Sequence, residues 1–264
     1  MIQPFGGWQH KCGKSMVRTK ISGGDTALLG KWPWMVRLKL CFKFPTFNKC
    51  SKCGGSLISN QWILTAAHCI DQPGGQITQI NATFSIDETT ELTVQVKERY
   101  VHERFNRAAT GLRNDIALLN LSQPLDLKKY DSLQPICLPV GIKSGVGTKC
   151  VVTGWGRTTS TSSFGPNKLQ QMTMPIVDDS LCTEKWTPKF QPNTQLCAQN
   201  LVRGKEVCTG DSGGPLNCQL DTGAWIVNGI LSYGEQRNCG LTQLPSVFTR
   251  VSFYIQWIRN ITKL

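Results

Sequence analysis

The segment CTGDSGGPL, residues 208–216, is the most informative part of the chain. It places Ser212 in a tight turn with glycines on both sides and with the carboxylate of Asp211 directly before it. A serine hydroxyl is a weak nucleophile at neutral pH and needs a base within hydrogen-bonding reach. Two upstream segments supply candidate partners, because LTAAHC (residues 64–69) contains His68 and NDIALL (residues 114–119) contains Asp115. The three segments together indicate nucleophilic chemistry at Ser212.

In this chain order and in these contexts, the three segments closely resemble the chymotrypsin-like (trypsin-fold) serine proteases, from Ile21 to the end of the chain. The resemblance implies an all-β fold of two packed six-stranded antiparallel β-barrels with a C-terminal α-helix. It also implies that His68 is the base for Ser212, that Asp115 orients His68, and that the backbone N–H groups of Gly210 and Ser212 form an oxyanion hole. We therefore expect a serine endopeptidase. The alternative is a catalytically silent, protease-like binding module, but such homologues lose the serine or the histidine and this chain keeps both.

Composition and cysteine content indicate an exported globular protein. The chain has 264 residues, of which 40% are hydrophobic and 17% charged, and it contains twelve cysteines. Disulfide-rich chains belong to oxidising compartments, and Asn-x-Ser/Thr sequons occur at Asn81, Asn120 and Asn260. The first twenty residues lack the apolar stretch of a secretory signal. We expect the catalytic region of a longer precursor, which is secreted or is the ectodomain of a larger exported protein.

The apolar pattern supports the implied architecture. Short β-type runs separated by Gly, Pro and Asn, such as residues 35–40, 92–96, 150–153 and 225–230, are typical of barrels and sandwiches. The last dozen residues show helical spacing instead. We predict a propeptide or linker tail over residues 1–20 and a peptidase domain over 21–264. Within that domain the N-terminal barrel would span about 21–137, and the C-terminal barrel and helix about 138–264.

The resemblance also suggests how most of the cysteines pair. It implies the bridges Cys53–Cys69, Cys208–Cys239, Cys150–Cys218, Cys182–Cys197 and Cys12–Cys137. Cys41 and Cys50 remain, and their eight intervening residues suit a bridge across an extended hairpin. A zinc site is a poor alternative, because Cys50-x-x-Cys53 has no second ligand pair at usable spacing. We expect no cofactor, no metal and no calcium requirement.

Residues 18–24, RTKISGG, resemble the activation junction of the family. Cleavage after Lys20 would free the ammonium group of Ile21, and the resemblance implies that this group pairs with Asp211. A buried carboxylate that loses its partner is costly, so the uncut chain would have a poorly formed oxyanion hole. We expect a zymogen whose cut tail stays attached through Cys12–Cys137.

The specificity pocket leaves two alternatives open. By family register Glu206 lies at the pocket base, and the remaining pocket residues are Val207, Ser232, Tyr233, Gly234 and Ser246. An ionised Glu206 would attract Lys or Arg side chains, since an unpaired buried carboxylate is expensive, and the sequence favours cleavage after Lys or Arg. Alternatively Arg237 neutralises Glu206, which would leave an elastase- or chymotrypsin-like pocket for apolar side chains.

The charge pattern bears on the binding partners. The net charge is +12, and Lys39, Lys43, Lys49 and Lys52 bracket the Cys41–Cys50 hairpin. The resemblance puts this hairpin beside the cleft on the leaving-group side, where it could bind acidic substrate segments, macromolecular protease inhibitors or sulfated glycans; the alternative is a merely solvated basic face. We expect a monomer that acts on proteins or peptides and, lacking a recognised motif, does not bind nucleic acid. We interpret His102 as a surface residue.

Overall fold

A computed structural model of the chain describes residues 12–17, 25–107, 111–157, 162, 165–202, 206–235 and 244–264. Four residues named above, Lys20, Ile21, Arg237 and Cys239, lie outside these ranges. The predictions for the activation junction, for the Arg237 contact and for the Cys208–Cys239 bridge therefore fall outside the described part of the chain.

Strands dominate the described residues. They are β1 (Asp25–Thr26), β2 (Met35–Lys43), β3 (Asn48–Leu57), β4 (Trp62–Thr65), β5 (Gln76–Ser85), β6 (Glu91–Val101), β7 (Ala117–Leu121), β8 (Lys149–Gly154), β9 (Gln170–Pro175), β10 (Gln195–Ala198), β11 (Pro215–Gln219), β12 (Trp225–Tyr233) and β13 (Ser246–Arg250). The helices are α1 (Ala67–Ile70), α2 (Asp179–Trp186) and α3 (Ile255–Thr262), and a 3₁₀ turn (Val251–Tyr254) leads into α3.

Six strands of the N-terminal half close into an antiparallel barrel in the order β2-β3-β4-β7-β6-β5. Alternation along β2 shows why the sequence forms this barrel: Leu38, Leu40 and Phe42 are buried, whereas Lys39 and Lys43 are exposed. A period of two turns one side of a strand to the core and the other to solvent. The hairpin between β2 and β3 pairs Cys41 with Cys50, so the disulfide joins directly opposite residues.

The C-terminal half forms a seven-stranded antiparallel sheet in the order β1-β9-β8-β11-β12-β13-β10. An antiparallel bridge between Ile176, just beyond β9, and Ala198 of β10 brings the two sides of this sheet together. The six strands β8 to β13 therefore make the second barrel, and the short β1 is added at its edge. The expected fold of two six-stranded barrels is confirmed, with the additional finding that β1 pairs with the second sheet.

Buried tryptophans join the two barrels. Trp34 is fully buried, and its Nε1 donates to Asn217 Oδ1 of β11 at 2.7 Å. Trp32 Nε1 donates to Gln171 Oε1 of β9 at 2.8 Å. Because each indole N–H finds a partner on the opposite barrel, the large apolar rings are buried without an unsatisfied donor. The two barrels are thus held in a fixed relation, and the cleft between them carries the site.

The predicted C-terminal helix is confirmed as α3; Ile258 of this helix and Tyr254, directly before it, are buried against the body. His102 lies under this helix and contacts the rings of Tyr254 and Trp257. Our interpretation of His102 as a surface residue is wrong, because it is 8% exposed and its burial lowers the pKa of the imidazole. Only the tertiary fold brings α3 over this position. None of the helices in the described ranges is long and apolar enough to span a membrane.

Candidate active site

The first element of the site is the short helix α1, which carries His68. It follows β4 directly and is tethered at Cys69, which is bonded to Cys53 of β3. Cys53, His68 and Cys69 lie close enough together to suggest a metal site. Both sulfur atoms are joined in the disulfide, however, and an oxidised cysteine offers no thiolate ligand. The cluster therefore fixes the position of His68.

Asp115 lies two residues before β7 and is fully buried. Its Oδ2 is 2.7 Å from His68 Nδ1, and its Oδ1 accepts a 2.8 Å hydrogen bond from the His68 backbone N–H. A carboxylate held in this way fixes the ring with its proton on Nδ1 and leaves Nε2 to act as base. The preceding residue, Asn114, has a left-handed backbone with φ of 52°, and its side chain accepts from the Tyr254 hydroxyl at 2.9 Å.

Two further hydroxyl groups satisfy Asp115. Ser232 Oγ donates to Asp115 Oδ2 at 2.5 Å, and Thr249 Oγ1 donates to the Asp115 carbonyl at 2.8 Å. Buried charge requires such partners. The sequence predicts Ser232 as a pocket wall and gives Thr249 no role at all. Their contacts with Asp115 depend on the packing of β12 and β13 beside β7, and no local sequence pattern could have indicated them.

A further contact absent from the sequence analysis involves Arg107. Its guanidinium donates from Nη2 to the carbonyl of His68 at 2.6 Å and to the carbonyl of Asp71. These two carbonyls stand at the end of α1, where helix carbonyls have no intrahelical partner. Arg107 therefore connects the loop that leads to Asp115 with the helix that carries His68.

The turn around Ser212 is held by its neighbours. The Ser212 carbonyl accepts from Gly54 N at 2.7 Å, and Gly213 N donates to the Leu231 carbonyl at 2.9 Å. A Cβ at position 213 would clash with Thr65 Oγ1, so glycine is needed where the turn meets the first barrel. No hydrogen bond joins Ser212 Oγ to His68 Nε2 within the described residues. Catalytic hydrogen bonds are often long before substrate binds.

Backbone donors in this turn divide into two groups. The N–H groups of Asp211, Gly213 and Gly214 donate to backbone carbonyls. Among the residues that the structure describes, those of Gly210 and Ser212 have no intramolecular acceptor. Gly210 has φ of 106°, a left-handed conformation that glycine adopts freely. Two uncommitted N–H groups beside a nucleophile can bind an oxyanion.

The carboxylate of Asp211 is held by two backbone N–H groups. Its Oδ1 accepts from Gly156 N at 2.7 Å and its Oδ2 from Cys208 N at 3.1 Å. A side chain at position 154 or 156 would clash with this carboxylate. Burial raises the pKa of Asp211 to about 6, and the two backbone N–H groups offset part of that effect. No cation lies within 4.0 Å of it in the described ranges.

A pocket opens beside Ser212. Its described lining is Val207, Cys208, Ser212, Leu231, Ser232, Tyr233 and Gly234. Ser246 lies behind Gly234 and is 3% exposed, with its Oγ 3.4 Å from where a Cβ of residue 234 would stand. Glu206 is half-buried and adjoins Val207, but it is not among these lining residues. The described wall of the pocket is therefore neutral.

Comparison with known proteins agrees with this geometry. Residues 21–258 match the family model described as Trypsin. The chain belongs to the trypsin family. It is 37% identical over 263 residues to chymotrypsin-C of Mus musculus, covering 94% of this chain and 91% of the relative. It is 36% identical over 270 residues to chymotrypsin-C of Bos taurus, covering 98% and 97%.

A solved structure is similar as well. Neuropsin, described as a serine protease expressed in the limbic system of mouse brain, superposes with a TM-score of 0.73 at 30% identity. The match covers 90% of this chain and 97% of that one. This trypsin-family chain is therefore a serine endopeptidase, a hydrolase.

The disulfide pairing agrees with the assignment to the trypsin family. Five bridges occur in the described residues, each between cysteines paired in the sequence analysis: Cys12–Cys137, Cys41–Cys50, Cys53–Cys69, Cys150–Cys218 and Cys182–Cys197.

The sequons differ in exposure. Asn260 is exposed on α3, Asn81 is half-buried on β5, and Asn120 is 7% exposed with its Nδ2 donating to Glu98.

Proposed function

We propose that this trypsin-family enzyme hydrolyses peptide bonds through an acyl-enzyme on Ser212, with His68 as base and Asp115 as its orienting group. The observation that carries the proposal is the His68–Asp115 pair, in which a fully buried carboxylate lies 2.7 Å from Nδ1. That contact leaves Nε2 as the basic nitrogen. The separate finding that the N–H groups of Gly210 and Ser212 have no acceptor among the described residues supports the oxyanion hole.

The reaction proceeds in two halves. Ser212 Oγ attacks the scissile carbonyl carbon while its proton passes to His68 Nε2, and the carbonyl oxygen becomes an oxyanion bound by the N–H groups of Gly210 and Ser212. The C–N bond then breaks as His68 returns the proton to the leaving amine. In the second half, water gives a proton to His68 Nε2 and attacks the acyl carbon. The bond from that carbon to Ser212 Oγ then breaks as His68 returns the proton to Oγ, which releases the acid product and restores the hydroxyl. Asp115 stabilises the imidazolium in both halves.

The test of this assignment is the Ser212→Ala variant. It should retain a residual rate of about 10³–10⁴ over water, which comes from the oxyanion hole and substrate binding. A fluorophosphonate probe should label the unsubstituted protein once, at Ser212, and should not label the variant. Ser252→Ala is a matched control that should keep both activity and labelling, because Ser252 is half-buried like Ser212. Near-full hydrolysis by Ser212→Ala would show that another residue is the nucleophile.

We infer that the enzyme is made as a zymogen and activated by cleavage after Lys20. The support is Asp211, whose buried carboxylate has backbone donors but no cation in the described residues. A new ammonium group at Ile21 would supply the missing charge, since a buried carboxylate favours pairing. Residues 12–17 remain tied to the body by Cys12–Cys137 and by the hydrogen bond from Gly13 N to the Pro135 carbonyl. Equal activity before and after cleavage at Lys20 would contradict this inference.

For substrate preference we propose apolar side chains at the residue before the scissile bond. The sequence favours Lys or Arg there, on the strength of Glu206, but the described pocket wall consists of Val207, Leu231, Gly234 and other neutral residues. By family register, Ser246 would also reduce the depth available to a long side chain, and its Oγ lies close to Gly234. The similarity to two chymotrypsin-C sequences supports the same alternative.

Glu206→Gln separates the two specificities. If the pocket is neutral, the variant should keep its preference for apolar side chains over Lys and Arg on a mixed peptide library. If Glu206 instead attracts basic side chains, the parent enzyme should cleave after Lys or Arg and the variant should lose that preference. Either cleavage profile shows whether the substrate side chain before the scissile bond meets a neutral or a negatively charged pocket.

We also propose an extracellular, monomeric enzyme that protein inhibitors can block. The five described disulfides support an oxidising compartment. We expect N-glycans at Asn260 and Asn81 rather than at Asn120, because the buried amide of Asn120 is engaged with Glu98. Sulfated glycans are a candidate partner of the basic hairpin, and retention on heparin that falls steeply with salt would support them.

A further inference from the structure

The side of the cleft that receives the leaving group can be located from His68, given the proposed function. His68 must return a proton to the leaving amine, so that amine lies within hydrogen-bonding reach of Nε2. Nε2 is 3.9 Å from Cys69 Sγ, and that sulfur is bonded to Cys53. The specificity pocket is built from other segments, residues 207–208, 212 and 231–234. The leaving segment of a substrate therefore extends past the Cys53–Cys69 bridge, over β3.

A pair of exposed lysines lies on β2 and β3 beside the Cys53–Cys69 bridge. Lys52 directly precedes Cys53 in β3, and its register partner in β2 is Lys39. Both side chains are exposed, whereas Leu38 and Leu40 on the other face of β2 are buried. The Cα atoms of the Cys41–Cys50 pair are 4.0 Å apart, which marks a non-hydrogen-bonded pair with close side chains. Pair types alternate along an antiparallel ladder. Lys39 and Lys52, two residues further along β2 and β3, are therefore also a non-hydrogen-bonded pair with close side chains.

Two ammonium groups in directly opposite positions repel each other and destabilise the hairpin. In the described part of the chain no carboxylate lies within 4.0 Å of either one. The neighbouring cation on the same outward face, Arg37, has such a partner, because its Nη2 is 2.6 Å from Glu91 Oε2. The polar residues beside Lys39 and Cys41 on β5 are the uncharged Asn81 and Gln79. A carboxylate from outside the molecule would relieve the repulsion.

The lysine pair also lies at a defined distance from the nucleophile. Gly54, two residues beyond Lys52, hydrogen-bonds the Ser212 carbonyl at 2.7 Å. Two residues of extended chain span about 7 Å, and a substrate in extended conformation covers the same distance in two residues. The lysine ammonium groups therefore fall beside the second and third residues that follow the scissile bond.

We propose that Lys39 and Lys52 select substrates with acidic side chains at the second and third positions after the scissile bond. The occupant is a peptide segment because the pair adjoins the cleft at the exit of the leaving group. The proposal rests on the proposed hydrolytic function and names the substrate class that it would favour.

The test compares peptides with one common acyl side that differ only at these two positions, which carry Glu-Glu, Gln-Gln or Lys-Lys. The enzyme is the full chain cleaved after Lys20 and stripped of N-glycans. We expect kcat/KM for the Glu-Glu peptide to exceed that for Gln-Gln by roughly two- to fivefold per lysine at low salt. The Lys-Lys peptide should be the slowest. The advantage of Glu-Glu should shrink as salt is raised from about 0.05 to about 0.5 M.

Variants of Lys39 and Lys52 test whether these two lysines cause the preference for the Glu-Glu peptide. In the double variant Lys39→Gln, Lys52→Gln the ratio of kcat/KM for Glu-Glu over Gln-Gln should fall towards one. Lys128→Gln removes an equally exposed lysine from the loop after β7 and should leave the ratio unchanged. A ratio of one in the unsubstituted enzyme, or a ratio that the double variant does not lower, overturns the proposal.

An ester substrate with no residues on the leaving side separates this proposal from the hydrolytic function. Ester hydrolysis without any acidic preference overturns the substrate class alone, whereas absence of ester hydrolysis overturns the proposed function and the inference with it. Heparin binding that the double variant abolishes, combined with a peptide ratio of one, would assign the lysines to a sulfated glycan and also overturn the proposal.

Discussion

The hydroxyl of Ser232 and the side chain of His68 meet on one oxygen of Asp115. Ser232 Oγ donates to Oδ2 at 2.5 Å, and His68 Nδ1 lies 2.7 Å from the same atom. Ser232 belongs to β12 of the second barrel, whereas His68 and Asp115 belong to the first. The carboxylate is therefore held from both barrels at once, and its orientation depends on how the two barrels pack.

Ser232→Ala should lower kcat by about tenfold or more, because a hydrogen bond to a charged group contributes about 1.5–3 kcal/mol. KM should change less than kcat, since the hydroxyl donates its hydrogen bond to Asp115. Steady-state kinetics on a peptide substrate measures both constants. Ser59→Ala is the matched control, because Ser59 is 5% exposed and its Oγ accepts from Trp62 N in the first barrel. An equal loss of kcat in both variants would indicate a general effect on stability.

Gly210→Ala should reduce kcat by about 10²–10³, the effect of losing one oxyanion donor. The φ of 106° is strained for alanine, and the new Cβ would stand 3.1 Å from Gly156 Cα, so the turn must shift. Gly223→Ala is a useful control, because its φ is 83° and nothing lies within 4 Å of the added Cβ. That variant should lose stability but keep kcat. Unchanged kcat in Gly210→Ala would exclude this N–H group from the oxyanion hole.

The uncut chain should show a pH dependence of stability that comes from Asp211. Its pKa in the folded chain is raised to about 6, above the ordinary value of 3.8. A carboxyl group with a raised pKa contributes stability that is complete below the unfolded pKa and is lost as pH rises through the folded pKa. The free energy of unfolding should therefore fall between about pH 4 and pH 6, relative to Asp211→Asn, by at most about 3 kcal/mol.

Denaturant unfolding of both proteins at several pH values in this window measures the difference. Parallel pH profiles for the parent chain and Asp211→Asn would contradict the raised pKa. After cleavage at Lys20, pairing with the Ile21 ammonium should remove the pH-dependent loss, because an opposite charge favours the ionised carboxylate.

Arg107→Met should lower kcat roughly five- to tenfold with a small change in the free energy of unfolding. The guanidinium holds the carbonyls of His68 and Asp71, and small displacements of a catalytic group are costly in rate. Arg107→Lys should recover part of the loss, since one ammonium can reach one carbonyl, and added guanidinium ion should partly restore an Arg107→Gly variant. The exposed Arg99→Met is the control and should keep kcat. Loss of stability without loss of kcat would reduce Arg107 to a structural role.

Most of the fold could be predicted from local pattern. Alternation of buried and exposed residues in segments such as β2 needs no knowledge of partners, and neither does the helical spacing that ends in α3. The proposed nucleophile, base and orienting carboxylate could be chosen because each lies in a short recognisable segment, in a family with specific motifs. Local conformation depends on neighbours in the chain, and these are visible in the sequence.

Other features arise from contacts between residues far apart in the chain. The pairing of β1 with the second sheet, the burial of His102 under α3 and the two hydroxyl groups on Asp115 have no local signature. The same holds for Lys39 opposite Lys52, because the sequence shows two lysines and only the strand register makes them a pair. By itself the sequence determined the class of fold and the class of enzyme, and it supplied the residues that we propose carry the chemistry. Tertiary structure alone decided what surrounds those residues, because register and packing, not chain proximity, set which side chains meet.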